Sequence, residues 1–193
     1  MSGKVTLLAC AGGELVLPAQ ASLLADRGDG GNLVVNPPRR VWERSALSVE
    51  ELTAWSYLVA ASGEAMLGVL PQLDGGCINY WEAGNWALND AAEPIGPKAA
   101  PSHRNVHLHL IGRNRFAKSP HHVWGESPRF PLYAERHTWA KDYARLTAEE
   151  CAAIVARVVA LLEHKFAMGE QPAWTACEAC RYPTPIAPRH ACG

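Results

Sequence analysis

The sequence lacks both a charge excess and long apolar runs. Its 18 Lys and Arg residues against 19 Asp and Glu leave a formal net charge of −1, so no general polyanion-binding surface is indicated and any phosphate site must be local. No apolar run approaches the ~20 residues that a membrane span requires. The N-terminus, Met1–Lys4 before a short apolar run, has one lysine and no convincing cleavage site, so we expect a cytoplasmic protein without a signal peptide.

The chain is long enough for one domain with a small appendage. At 193 residues and 48% hydrophobic composition, a domain buries on the order of 70% of its unfolded surface, enough for a core without disulfides. We place the domain at 1–168 and a Cys- and Pro-rich C-terminal tail at 169–193. Three cysteines outside the tail lie in apolar surroundings and are interpreted as buried free thiols: Cys10, Cys77 and Cys151.

The tail contains a Cys-x₂-Cys pair followed by a histidine and a further cysteine. Four N/S ligands are the tetrahedral set that a structural zinc site uses. The sequence therefore predicts a zinc knuckle, with a proline-rich end that binds no metal as the alternative. The predicted ligands are Cys177, Cys180, His190 and Cys192.

Short apolar runs and two capping boxes predict an α+β chain. Strands are predicted around residues 5–8, 15–17, 33–35, 77–81 and 106–110. The capping box Ser48-x-x-Glu51 predicts a helix to about Leu70, before Pro71. A second box, at residues 147–150, predicts a helix that ends near residues 166–169.

The most informative pattern is a strict alternation of polar and apolar residues over 105–110. Successive strand residues point to opposite faces, so the apolar set is predicted to enter the core while His107 and His109 share the other face. Two neighbouring imidazoles that titrate near neutral pH suit nucleophilic attack on a phosphate. Arg113 and Arg115 add positive charge where the strand ends. The alternative is an amphipathic strand whose polar side carries histidine without chemistry.

Asn105–Arg113, which reads NVHLHLIGR, resembles the signature His-φ-His-φ-His-φ-φ of the histidine-triad (HIT) superfamily, with the first histidine replaced by Asn105. The segments Asn32–Arg44 and Leu47–Leu52 are similar to the family's strand, basic turn and first helix. The resemblance covers roughly residues 20 to 115. It implies an antiparallel sheet of about five strands with two main helices, and a homodimer.

The resemblance also implies roles for individual residues. His107 would be the nucleophile and His109 would contact the phosphate. Ser102 would lie near the phosphate, and Asn79 beside the phosphate or ribose. Asp26 would bind ribose hydroxyls, with a turn-forming role as the alternative.

The implied activity is hydrolysis at the α-phosphate of a nucleoside phosphoramidate or dinucleoside polyphosphate through a nucleotidyl-histidine. Asn105 can orient His107 through its carbonyl oxygen but cannot donate a proton. In a shifted register His109 would be the nucleophile and Ile111 would occupy a glutamine position. A nucleotidyl transferase and a non-catalytic nucleotide-binding protein are the alternative functions. No metal is required for catalysis, and neither a nucleic-acid polymer nor a membrane is expected as a partner.

Several loop residues have two interpretations. Trp81 and Trp86 lie in or near a long loop at residues 82–104, and they are predicted either to stack on a purine base or to pack under this loop. The segment 116–145 covers the site or forms a dimer contact. Three arginines form a basic turn after the predicted strand at 33–35: Arg39, Arg40 and Arg44. We interpret this turn as a solvated surface, with contact to a phosphate as the alternative. Three histidines are interpreted as surface residues: His121, His122 and His137.

Overall fold

The computed structural model describes residues 3–166, together with the backbone of 174–176 and 183–185. The strands of its main sheet are β1 (Val5–Cys10), β2 (Gly13–Leu17), β3 (Asn32–Asn36), β4 (Cys77–Ala83) and β5 (His107–Arg113). They form one antiparallel sheet in the order β1-β2-β3-β5-β4. Two short strands, β6 (Trp174–Ala176) and β7 (Pro183–Pro185), pair with each other.

Two long helices begin at the two predicted capping boxes. The α-helices are α1 (Val49–Val69), α2 (Ala100–His103), α3 (Arg136–Trp139) and α4 (Ala148–His164). Short 3₁₀ turns lie at Gln20–Ser22, Arg27–Asp29, Arg44–Ala46, Pro71–Leu73, Asn85–Leu88 and Tyr133–Glu135. In α1, the Ser48 hydroxyl accepts from the Glu51 amide, and the Glu51 carboxylate accepts from the Ser48 amide. The prediction of an α+β fold with a five-stranded antiparallel sheet and two main helices is confirmed.

The main core lies between one face of the sheet and the helices α1 and α4. The apolar residues of the 105–110 alternation enter this core as predicted: Val106, Leu108 and Leu110. From the helices, Trp55, Leu58, Met66, Ile154 and Val158 are buried against them. Burying large apolar side chains stabilises the fold by about 1.5–3 kcal/mol each, so this layer holds β5 in place between β3 and the edge strand β4.

The opposite face of the sheet carries the histidines. Trp81 lies directly opposite His109, and Ala83 lies opposite His107, in the β4–β5 register. Because directly opposed residues in an antiparallel pair share a face, these side chains form one surface. Further along β5, Ile111 is buried on this face against Leu24 and Ala25.

The segment 116–145 is tied to residues 20–29 over the histidine face. The Asp29 carboxylate accepts from the Lys118 and Ser119 amides at 2.7 and 3.0 Å. The ring Nε2 of His122 lies 2.7 Å from the Leu24 carbonyl, and the side chain is fully buried. The interpretation of His122 as a surface residue is therefore wrong, because it packs beneath this segment.

The three cysteines of the described domain are free thiols. Cys151 is buried, as expected, but Cys77 is exposed because it begins the edge strand β4. Within the described residues, no helix is both long enough and apolar enough to cross a membrane.

Candidate functional site

A cavity of about 430 Å³ opens on the histidine face. Its volume is in the range of small-molecule sites, and its walls are mainly apolar and aromatic. β5 contributes His107 and His109, and β4 contributes Trp81. The lining is completed by Ser22, Leu24, Ala83, Gly84, Asn85, Trp86, Ala87 and Asn105.

His107 is oriented by the main chain. Its Nδ1 lies 3.0 Å from the Asn105 carbonyl oxygen. A carbonyl only accepts hydrogen bonds, so Nδ1 carries the proton and Nε2 keeps its lone pair. Burial lowers the pKa of His107, and the Arg104 charge adds to this effect, against opposing contributions from the Asn105 carbonyl and Glu82. The ring is therefore neutral at pH 7, the form that acts as a nucleophile.

His109 is the deeper of the two imidazoles. Its ring centroid lies 5.0 Å from that of His107, and its Nδ1 lies 3.4 Å from the Asn32 amide nitrogen. Burial, together with the nearby His107, lowers the pKa of His109 to about 3. The Asn32 amide N–H faces Nδ1, which favours the tautomer with its proton on Nε2. A neutral His109 then offers an N–H donor to the cavity.

Asn32 is a site residue that the sequence analysis missed. Its side chain is 1% exposed, its Oδ1 accepts from the Leu24 amide at 3.1 Å, and its Nδ2 donates to the Leu33 carbonyl at 3.0 Å. The signal was present, since a buried strand of apolar residues begins with an asparagine, and buried polar groups need partners.

The two tryptophans of the wall differ in how they are engaged. Trp81 stacks on His109 at 5.3 Å between ring centroids and on Phe130 at 4.3 Å. Trp86 makes an edge contact with Tyr133 at 6.4 Å. Trp81 is therefore already packed against two other rings of the wall. Trp86 makes only the edge contact and is more available to stack on a flat ligand ring.

Gly84 packs closely against the Asn105 carbonyl, the same group that orients His107. Its φ is +118°, a conformation that L side chains rarely adopt, and a Cβ there would collide with the Asn105 carbonyl. The neighbouring Arg104 pairs with Glu43 at 2.9 Å and with Glu82 at 3.7 Å. These contacts fix the backbone just before β5.

Three residues predicted to bind substrate do not line this cavity. Asp26 accepts from the Gly28 and Ala144 amides at 2.7 and 2.6 Å, which is the turn-forming role. Asn79 shares the histidine face, but its Oδ1 accepts from Arg113 Nη1 at 2.5 Å. Ser102 is exposed, with its hydroxyl 3.2 Å from the Ala99 carbonyl.

The two arginines of the β5 end lie away from the cavity. Arg113 is 4% exposed and donates to the Val123 and Glu126 carbonyls at 2.8 and 3.0 Å. Arg115 lies over the Trp124 ring at 6.0 Å. Their charges support the 116–145 segment instead of adding to the histidine pair.

In the part of the chain that the structure describes, no three His, Cys, Asp or Glu side chains are grouped to hold a metal ion. The predicted zinc ligands Cys177, Cys180, His190 and Cys192 lie outside the described residues.

Comparisons with known proteins assign no family to the chain. No protein-family model matches it, and the search of curated proteins found no match.

Proposed function

We propose that this protein hydrolyses nucleotides at the α-phosphate through a covalent nucleotidyl intermediate on His107. The observation that carries the proposal is the hydrogen bond from His107 Nδ1 to the Asn105 carbonyl, 3.0 Å long, on a residue that lines a 430 Å³ cavity. It leaves Nε2 as the nucleophilic nitrogen. The resemblance to the HIT signature supports the same assignment.

The reaction has two displacements. In the first, the Nε2 lone pair forms a bond to the α-phosphorus, and the bond to the leaving group breaks with its electron pair on that group. In the second, a water oxygen attacks phosphorus, the P–N bond breaks with its electron pair returning to Nε2, and the proton of the attacking water passes to bulk solvent. The His109 N–H is suited to hold a phosphate oxygen while charge develops.

A labelling experiment tests the proposal. Protein mixed with adenosine 5′-phosphoramidate or diadenosine tetraphosphate, quenched in base, should carry one acid-labile adenylyl group on His107 by mass spectrometry. His107→Ala should lose the adduct and at least ~1,000-fold in turnover. The control is His164→Ala, an exposed histidine at the end of α4, which should retain both. Retained turnover in His107→Ala would contradict the proposal.

The same intermediate can pass to another acceptor. Turnover in inorganic phosphate distinguishes the outcomes, since a transferase forms a nucleoside diphosphate and a hydrolase forms the monophosphate. Nucleotide binding with no adduct would instead identify a non-catalytic binding protein.

We also propose a homodimer, on the resemblance alone, and the cytoplasmic location stays an expectation from the sequence. Sedimentation velocity measures the mass of the particle. A monomer across the working concentration range would remove the dimer from the proposal.

A further inference from the structure

We propose that the leaving group lies in a cationic groove beside Asn105 and departs as a polyphosphate anion, which makes nucleoside polyphosphates the preferred substrate class. This inference rests on the proposed function and names the leaving group for it. The groove has a volume of about 400 Å³ and is lined in part by Lys4, Arg39, Arg40 and Asn105. Asn105 also lines the histidine cavity.

The groove and the cavity lie on two sides of His107. The cavity is walled by β4 and the loop after it, through Trp81 and Gly84. The groove instead contains Asn36, the last residue of β3, and Glu14 of β2. Val34 lies opposite His109 in the sheet, and Asn36, two residues further along β3, faces the same side. A substrate with its base in the cavity and its α-phosphate at His107 therefore extends into the groove.

The groove has cations that no carboxylate neutralises. Within residues 3–166, Lys4 and Arg40 make no ion pair, and both are exposed. Arg39 pairs with Glu51 at 2.8 Å. The one carboxylate of the lining, Glu14, accepts from the Asn36 amide at 3.3 Å. With Arg39 held by Glu51, the two cations unpaired within residues 3–166, Lys4 and Arg40, stand against the single lining carboxylate Glu14 and favour an anion, and a guanidinium fork suits phosphate oxygens.

The groups around the reacting phosphate also favour a leaving group that needs no proton. An amine must be protonated to depart, whereas a polyphosphate departs as a stable anion. The Asn105 amide has no acidic proton, and its Oδ1 accepts from Arg40 Nε. Burial lowers the pKa of both cavity histidines, so neither imidazole is a cationic acid at pH 7. Arg40 instead lies where it can neutralise the departing charge.

The reaction step balances without a proton donor. The Nε2 lone pair of His107 forms the P–N bond, the P–O bond to the β-phosphate breaks, and its electron pair leaves on the terminal oxygen of the polyphosphate. The Nδ1 proton stays on the ring, bonded to the Asn105 carbonyl.

The test compares two substrates that share the adenylyl group. Diadenosine tetraphosphate has an anionic leaving group, and adenosine 5′-phosphoramidate has an amine. We expect kcat/KM to favour the tetraphosphate, and Arg40→Met to lower the ratio of the two values about tenfold or more, since one charged hydrogen bond is lost. Asn105→His should lower the ratio by supplying a proton to the amine. Arg157→Met, a change of an exposed arginine on α4, is the matched control and should leave the ratio unchanged.

A binding measurement accompanies the kinetics. Inorganic tripolyphosphate, which mimics the leaving group, should inhibit competitively, and Arg40→Met should weaken that inhibition about tenfold. If Arg40→Met does not fold, Lys4→Met takes its place with the same expectation for the ratio.

The outcomes separate the two proposals. One outcome would overturn the proposed role of the groove and keep the proposed function. In that outcome His107 carries the adenylyl adduct, but neither Arg40→Met nor Lys4→Met changes the ratio of the two kcat/KM values. A wild-type preference for the phosphoramidate would overturn the groove as well. Absence of the adduct with both substrates would overturn both proposals.

Discussion

His107 and its neighbours are arranged around a single peptide carbonyl. The Asn105 carbonyl accepts from His107 Nδ1 at 3.0 Å, and Gly84 leaves the space that this carbonyl occupies. The orientation of the His107 ring therefore depends on a residue with no side chain.

Gly84→Ala should lower turnover about 10- to 100-fold, because the methyl group collides with the Asn105 carbonyl and the backbone must leave φ +118°. The ¹⁵N shifts of His107 should show a loss of the Nδ1–H form. Gly68→Ala is the control, since no atom lies within 4 Å of its added Cβ, and it should leave activity unchanged. Wild-type turnover in Gly84→Ala would show that the glycine is not needed.

The sequence predicted some residues of the site and missed others. His107 and His109 were assigned to one face because strand alternation is a local property that one sequence displays. Asn32 was missed because its role depends on pairing with β5, which lies more than seventy residues away in the chain. Asp26, Asn79 and Ser102 were assigned from the family resemblance by position in the chain, and position does not specify which hydrogen-bond partners a side chain finds in the fold.

At the scale of elements, the helices were the most predictable part of the fold. Both capping boxes form, and α1 ends at Val69, before Pro71 as expected. α4 ends at His164, slightly earlier than predicted, and helix ends are set within one or two residues by packing. The segment 116–145 shows no hydrophobic periodicity in the sequence. Its conformation depends on contacts to residues 20–29, which are distant in the chain, so a local pattern does not predict it.

Ser48→Ala should lower the free energy of unfolding by about 1 kcal/mol, because the Glu51 amide loses its acceptor. Ser56→Ala makes the same change inside α1, where the hydroxyl only bonds the Leu52 carbonyl at 2.8 Å. Its effect should stay within about 0.5 kcal/mol, since alanine favours helix. Urea unfolding followed by circular dichroism measures both. Equal losses would contradict the capping role.

At the scale of the whole molecule, two layers cover the sheet by different means. Apolar packing from α1 and α4 covers one face, whereas residues 20–29 and 116–145 cover the histidine face through a small apolar cluster around Ile111 and through hydrogen bonds such as those to Asp29. A layer held by hydrogen bonds opens more readily than one held by a packed core.

Asp29→Ala should open the 116–145 segment without unfolding the sheet, because the Lys118 and Ser119 amides lose their acceptor. Hydrogen exchange read by mass spectrometry should increase in 116–145 and stay unchanged in β3 and β5. Asp142→Ala, at an exposed position of the same segment, is the control. Unchanged protection around Lys118 would refute the contact.

Buried neutral histidines should make stability depend on pH. Burial lowers the pKa of His109 to about 3 from 6.5, so between these values the unfolded chain binds a proton that the native ring does not. The free energy of unfolding is then highest above pH 6.5 and falls as the pH decreases toward 3, by up to ~1.4 kcal/mol per pH unit for each such group.

His109→Gln should flatten this pH dependence, measured by urea unfolding at a series of pH values. His107 and His122, whose pKa values burial also lowers, should account for part of what is left, together with carboxylates such as Glu51, whose pKa the hydrogen bond from Arg39 lowers. A slope that His109→Gln does not change would place the uptake of protons elsewhere.

The carbonyl that aligns His107 belongs to the main chain, and no point mutation deletes a peptide bond. The side chain at position 105 can therefore change while the carbonyl that holds His107 Nδ1 stays in place. Under the proposed function, a substitution at position 105 therefore changes the groups near the leaving group while the contact that orients the His107 ring is kept.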